Sequence, residues 1–300
     1  MSMQSEPTFD VWATAQNQLY QPPSGEQLAA FRNLFHNSSP SAAEVSEIAS
    51  RIAKPCIKPW GEGPIQGLWC VIQSAVDELP SQSDRLVALV TALQRLPDGR
   101  GVLGPDSWFI DLPLFDNHWT ERVNVSYPDP HKGRQAWLNQ NAFLAKLTAR
   151  AGDVEIFREQ RQRGGVCLRR SLERTPGDDN EDGDDKEEEG DDYEEEEDEE
   201  EIEDPSTQIT VLDVLVPAAA QWIQHCPRVL YEKAVAGGEM DSEYDHNGTN
   251  FGTKMGWSLE RWEYWRKRFE VSTMDELEEG TRRIAKEAAE IMGEFTKNAP

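Results

Sequence analysis

Asp106, Asp111, Asp116 and His118 fall in one short stretch, with Trp108 and Trp119 beside them. Carboxylates and a histidine among aromatics can move protons, because burial shifts a carboxylate toward neutral pH and imidazole already titrates there. If the chain is an enzyme, Asp111, Asp116 and His118 are the first catalytic candidates. The plainer reading is that the aspartates cap short turns and the tryptophans plug a core. That reading carries the greater weight.

The other chemistry-bearing residues fail on spacing. Glu243, Asp245 and Asn247, followed by Gly248, open like a calcium loop. The twelfth position of such a loop needs a bidentate glutamate, and here it is Lys254, whose charge repels Ca²⁺. His225 and Cys226 are neighbours, so on a helix they point about 100° apart and cannot close on one zinc. Cys56 and Cys70 have no histidine at metal spacing. Gly61-Glu62-Gly63-Pro64 lacks the lysine and later glycine of a phosphate loop. Cys167 follows Gly164-Gly165 among arginines, which favours a thiolate, but no base is evident beside it. No metal and no cofactor is expected.

Charge is concentrated in one place. Residues 177–205 hold 21 Asp and Glu against one Lys, a net of −20, out of −26 for the whole chain; the rest carries −6. Such a run cannot bury apolar surface and repels itself, so it is expected to be disordered. Arginines at 158–174 and Arg266-Lys267-Arg268 raise nucleic-acid binding, but the remaining chain is still net negative and the acidic run competes for any basic surface. Nucleic acid is therefore disfavoured. Attraction between the arginine-rich stretch and the acidic run is the simpler use of both.

Around these residues the signals are helical. Residues 1–24 are polar, end at Pro22-Pro23 and are expected to be disordered. Ser24 with Gln27, and Ser41 with Glu44, make two capping boxes. The second helix should stop before Pro55. Apolar stripes at steps of three and four follow over 65–79 and 83–96. Residues 97–113 are irregular, and 114–123 suit a brief helix. A helix through 137–147 places Asn139 or Gln140 on its buried side, where an amide needs partners. The helix over 153–174 should break or kink at Gly164-Gly165. Another over 209–236 holds Pro217 at a kink or in its first turn. Ser258 caps a helix whose Leu259, Trp262, Trp265 and Phe269 share one face, with Glu260, Arg261, Glu263, Lys267 and Arg268 on the others. A last stripe covers 275–297. The fold class is all-α: an irregular multi-helix bundle over 25–175 and 207–297, with the acidic insertion at 176–206. The aromatic stripe at 259–269 reads as core rather than as a groove for a partner helix.

No apolar stretch of about 18 residues exists to span a membrane. Residues 1–10 have neither a basic start nor an apolar run, so no secretory leader is expected. Cys56, Cys70, Cys167 and Cys226 lie far apart and read as reduced thiols. These features point to a cytoplasmic protein, or one that is also nuclear.

Three segments carry a resemblance: WLNQNAFLAKLTA at 137–149, PAAAQWIQHCPRVLY at 217–231 and GWSLERWEYWRKRF at 256–269. Together they resemble the fungal family catalogued as domain of unknown function 3632, from about residue 65 to 291. Its motif positions are Trp137, Asn141, Phe143, Pro217, Trp222, Trp262, Trp265 and Phe269. The resemblance implies a fungal origin, an α-helical intracellular domain and no established activity, so no catalytic residue carries over. The long acidic run departs from the family pattern, and within the family fold it is a loop insertion.

The leading expectation is a non-enzymatic interaction protein whose acidic loop contacts a basic partner. The alternative is an enzyme or small-molecule binder with its pocket near residues 106–119.

Overall fold

The computed structural model describes residues 6–57, 62–96, 112, 114, 115, 118, 119, 133–150, 155–173, 211–240, 256–271 and 277–297. The fold is all-α. Its helices are α1 (Phe9–Ala15), α2 (Gly25–His36), α3 (Ala42–Ile57), α4 (Glu62–Glu78), α5 (Ser83–Gln94), α6 (Arg134–Ala149), α7 (Glu155–Leu172), α8 (Val211–His225), α9 (Pro227–Ala236), α10 (Leu259–Glu270) and α11 (Glu279–Lys297). Short 3₁₀ turns follow α1 and precede α5.

α8 is the centre of the bundle. It packs against α6, α7 and α11, while α6 also touches α4, α5 and α7. Val214 to Ala220, Trp222 and Ile223 are all buried, so this helix is apolar nearly all round. A helix of that kind is stable only when neighbours cover every side. The tryptophan helix α10 lies further out, against α7, α9 and α11. α2, α3 and α5 form the N-terminal side.

The helix starts follow their local chemistry. At Ser24 the hydroxyl accepts from Gln27 N at 3.2 Å and Gln27 Oε1 accepts from Ser24 N at 2.9 Å. Ser41 and Glu44 repeat that exchange at 3.3 and 2.7 Å. Ser258 Oγ accepts from Arg261 N at 3.1 Å, capping α10. Each cap satisfies donors that a helix start otherwise leaves open.

Four expectations need correction. Among the described residues 6–24 the chain does not stay loose: α1 forms, and Trp12 is completely enclosed, its indole donating to Ser74 Oγ at 3.0 Å. One large ring with a polar partner anchors a helix too short to stand alone. α3 runs past Pro55 to Ile57, because a proline in the last turn removes only one helical hydrogen bond. The 209–236 helix is two helices. Pro227 disfavours helical geometry at Cys226, which sits at φ −139° and ψ 43°, and then serves as the first residue of α9. Pro217 lies inside α8 and not in its first turn.

The glycine pair in α7 is the fourth. The helix is continuous through Gly164 and Gly165. A Cβ on Gly164 would stand 2.6 Å from Trp222 Cε3, and one on Gly165 2.4 Å from Trp257 Cζ2. Glycine costs about 1 kcal/mol against alanine inside a helix. Here it admits two indole rings against the backbone, and their packing offsets that cost.

Candidate functional site

The described residues on either side of the acidic run are buried in the bundle. The chain leaves α7 at Glu173 and re-enters the described residues at Val211, the start of α8; the run itself lies outside the described residues. α7 and α8 pack directly on one another. Ser171 Oγ donates to Leu215 O at 3.0 Å, tying the last turn of α7 to the first turns of α8.

At the exit, Glu173 is 1 % exposed and takes three donors. Arg261 approaches in a fork, Nε to Oε1 at 2.7 Å and Nη2 to Oε2 at 2.9 Å. Trp265 Nε1 donates to Oε1 at 2.6 Å. The remaining arm of Arg261, also 1 % exposed, donates to Gly256 O at 2.6 Å. Arg268 Nε donates to Leu172 O at 2.8 Å, covering the carbonyl end of α7. A buried ion pair is held only if its remaining hydrogen-bonding positions are met, and these are largely met. Gly256 has a φ of +114°, and a Cβ there would lie 2.5 Å from Gly238 O, so glycine is required at the start of this clamp.

At the return, Asp213 is 1 % exposed and its Oδ1 accepts from Glu278 N at 3.0 Å, just before α11. A carboxylate at a helix N-terminus caps it and complements its dipole. Glu278 in turn pairs with Arg134 of α6 at 2.9 Å. Two buried carboxylates therefore flank the acidic run, Glu173 gripping α10 and Asp213 gripping α11.

Sequence reasoning missed this clamp. It set Arg261 on an outer face of α10 and Leu259 on the apolar one. The buried face is Arg261, Trp262, Trp265 and Phe269, and Leu259 is 44 % exposed. Arg261 and Trp265 are one turn apart, which was the available signal: an arginine stacked in register with a buried indole shares its face.

The motif positions are all buried. Asn141 donates to Trp137 O at 2.9 Å and accepts from Trp222 Nε1 at 2.8 Å, so one amide joins α6 to α8. Phe143 stacks on Trp119, with centroids 5.3 Å apart. Trp262 meets Tyr231 edge-on at 5.3 Å. Pro217 and Phe269 are buried. The amides at 139 and 140 both reach α4: Asn139 donates to Asp77 O at 2.9 Å and Gln140 to Asp77 Oδ1 at 2.7 Å.

Of the acid/base candidates, Asp111 and Asp116 lie outside the described residues, as do Asp106 and Trp108. His118 is half-buried and its Nε2 meets Gln73 Oε1. Leu112, Phe115 and Trp119 around it are fully buried. The calcium-like loop at 243–254 also lies outside the described residues. Cys167 is no thiolate: burial pushes its thiol up to about 12, despite a hydrogen bond from Ser171 and the charge of Arg170. Burial likewise raises Cys56, to about 12, and Cys226. Among the described residues no group of three or more His, Cys, Asp or Glu could hold a metal ion. No helix among them is long and apolar enough to cross a membrane.

A bundle of this kind, with interlocked tryptophans and buried polar clamps, defines an all-α protein whose motif residues are internal. The chain belongs to the family described as protein of unknown function (DUF3632), whose profile matches residues 69–269. That span takes in the Glu173–Arg261 clamp and the Asn141–Trp222 contact, and Asp213 but not its donor Glu278. No curated protein matches the chain, and neither does any solved structure.

Proposed function

We propose that this chain is a non-enzymatic helical scaffold that holds out its acidic run for a basic partner. The observation that supports it is the anchoring of the helix ends that flank the run. Glu173 and Asp213 fix the points of departure and return through buried contacts to α10 and α11. A polyanion of net −20 is thus tethered at a fixed place on a body carrying only −6. Concentrated like charge attracts a lysine- or arginine-rich segment over a distance set by the Debye length, about 8 Å at physiological ionic strength. It speeds encounter and selects partners by sign more than by shape. The partner class is a basic protein, and the binding is reversible by salt.

Titration with a lysine- and arginine-rich peptide tests this reading, comparing the full chain with a chain lacking 177–204. Binding that weakens steeply between low and physiological salt and disappears with the run supports it. Equal binding by both chains, or none by the full chain, overturns it.

A further inference from the structure

The turn between α2 and α3 presents a serine followed by proline. Ser38, Ser39 and Ser41 are exposed, and Pro40 follows Ser39. Asn37, which ends α2, is extended at φ −74° and ψ 116°, and its Oδ1 accepts from Ser39 N at 3.2 Å. A proline biases the residue before it toward extended geometry as well. The Ser41 hydroxyl is engaged in the cap of α3, donating to Glu44 Oε2 at 2.7 Å and accepting from Glu44 N at 3.3 Å. Ser39 stands outside that cap. Arg85 of α5 lies against the same turn. Its Nε and Nη2 donate to Asn37 O at 3.2 and 3.0 Å, and its Nη1 donates to Gln82 Oε1 at 2.7 Å. A guanidinium carries five N–H groups, so these contacts leave one hydrogen on each Nη. Ser39 is two residues on from Asn37, at most about 7 Å between Cα atoms.

We propose that Ser39 is a phosphorylation site for a proline-directed serine/threonine kinase, and that Arg85 receives the phosphate. A kinase takes its acceptor from an extended, exposed chain. A kinase pocket that offers the next backbone N–H no acceptor selects proline, the one residue without that group. Ser39 Oγ attacks the γ-phosphorus of ATP. The new O–P bond forms as the bond to the ADP oxygen breaks, ADP leaves, and the hydroxyl proton passes to the base of the kinase. The product carries a charge of about −1.5 to −2 and three acceptor oxygens, which suit the fork of a guanidinium. Ser38 has no proline after it, and Ser41 is held by Glu44, so the turn singles out Ser39. This site is independent of the acidic run.

The test treats the folded full chain with ATP and a purified proline-directed kinase, and maps the phosphate by mass spectrometry. A peptide of residues 33–47 is the unfolded reference. The proposal expects Ser39 in the folded chain to be labelled at a rate comparable to that of the peptide. Pro40→Ala should lower that rate at least about tenfold, the effect of one unsatisfied N–H in the kinase pocket. Phosphate absent from Ser39, or found there only after unfolding, overturns the site. So does phosphate confined to Thr175, which also precedes a proline, or an equal rate in Pro40→Ala. Phosphorus NMR of the labelled chain tests Arg85. A nearby guanidinium favours the dianion, so its loss raises the second phosphate pKa, about 6 in an ordinary phosphoserine. Glu44, at the same turn, is common to both chains compared. Arg85→Gln, which keeps a donor for Asn37 O, should therefore shift the titration upward, and an unshifted titration overturns the part given to Arg85.

Discussion

At the N-terminal end, α1 is held to α2 and α4 by rings: Trp12 lies 5.9 Å from Phe31 and 5.8 Å from Phe35, and its one polar atom reaches Ser74. At the C-terminal end, α10 is held to α7 by charge, the Glu173 carboxylate inside the fork of Arg261. The first attachment is non-directional. The second works in only one register, because a fork that slips by a residue leaves two buried charges unpaired. Rings make the N-terminal end stable, and charges make the C-terminal end specific. The specific end is the one from which the acidic run departs.

Rescue separates the two attachments. Glu173→Ala takes the carboxylate away from the buried Arg261 charge and the Trp265 indole, and should lower unfolding free energy by about 3–5 kcal/mol. Trp12→Ala should cost a similar amount, about 3–5 kcal/mol, through the cavity it opens. Changing Glu173 and Arg261 together to Met and Leu should recover most of the loss, since an apolar pair of similar volume often matches a buried ion pair. No second substitution should restore Trp12→Ala. Urea unfolding of the four chains checks this; failure of the double change to recover would mean the clamp is stabilising in itself.

A smaller loss is expected where α6 meets α8. Trp222→Phe keeps a ring against Gly164 but strands the Asn141 amide, for about 1–3 kcal/mol by the same measurement. An effect near zero would show that Asn141 finds another donor.

Acidity should act on the polar edge of the bundle. Burial lowers the His225 pKa, and the nearby Lys146 charge lowers it further, against a smaller opposite pull from Asp84. The unfolded histidine takes up its proton near 6.5 while the folded one resists to lower pH. Stability should therefore fall as pH drops through 6.5 and level off below the folded value. His225→Gln should flatten that part of the profile, and a profile unchanged by the substitution would remove His225 as its source.

How much of this was readable depends on the range of the interaction. Caps at Ser24, Ser41 and Ser258 were legible because both partners lie within three residues. The all-α class and most helices followed from spacing, and the buried amides at 139 and 140 from the stripe around them. Glu173 with Arg261 is a contact across 88 residues, and Asp213 with Glu278 one across 65. Nothing local marks Glu173 or Asp213; only the register of Arg261 with Trp265 pointed to a shared buried face. The glycine pair in α7 misled for the same reason: its cause is two rings from distant segments. Pro227 was a local signal, since it limits the residue before it, and it was overlooked. In the 106–119 stretch, His118 was visible as a residue type. Gln73 was not, because an interior glutamine shows its role only once its neighbours are known.

The smallest expected effect bears most directly on the account. If Glu173 and Asp213 fix the ends of the run to a self-sufficient bundle, then removing 177–204 should hardly alter the folded body. Amide hydrogen exchange of the two chains measures this at each helix. The account predicts protection in α7, α8, α10 and α11 unchanged within about 0.5 kcal/mol. Loss of protection in α10 and α11 on deletion would contradict it, since the run would then be part of what holds those helices in place.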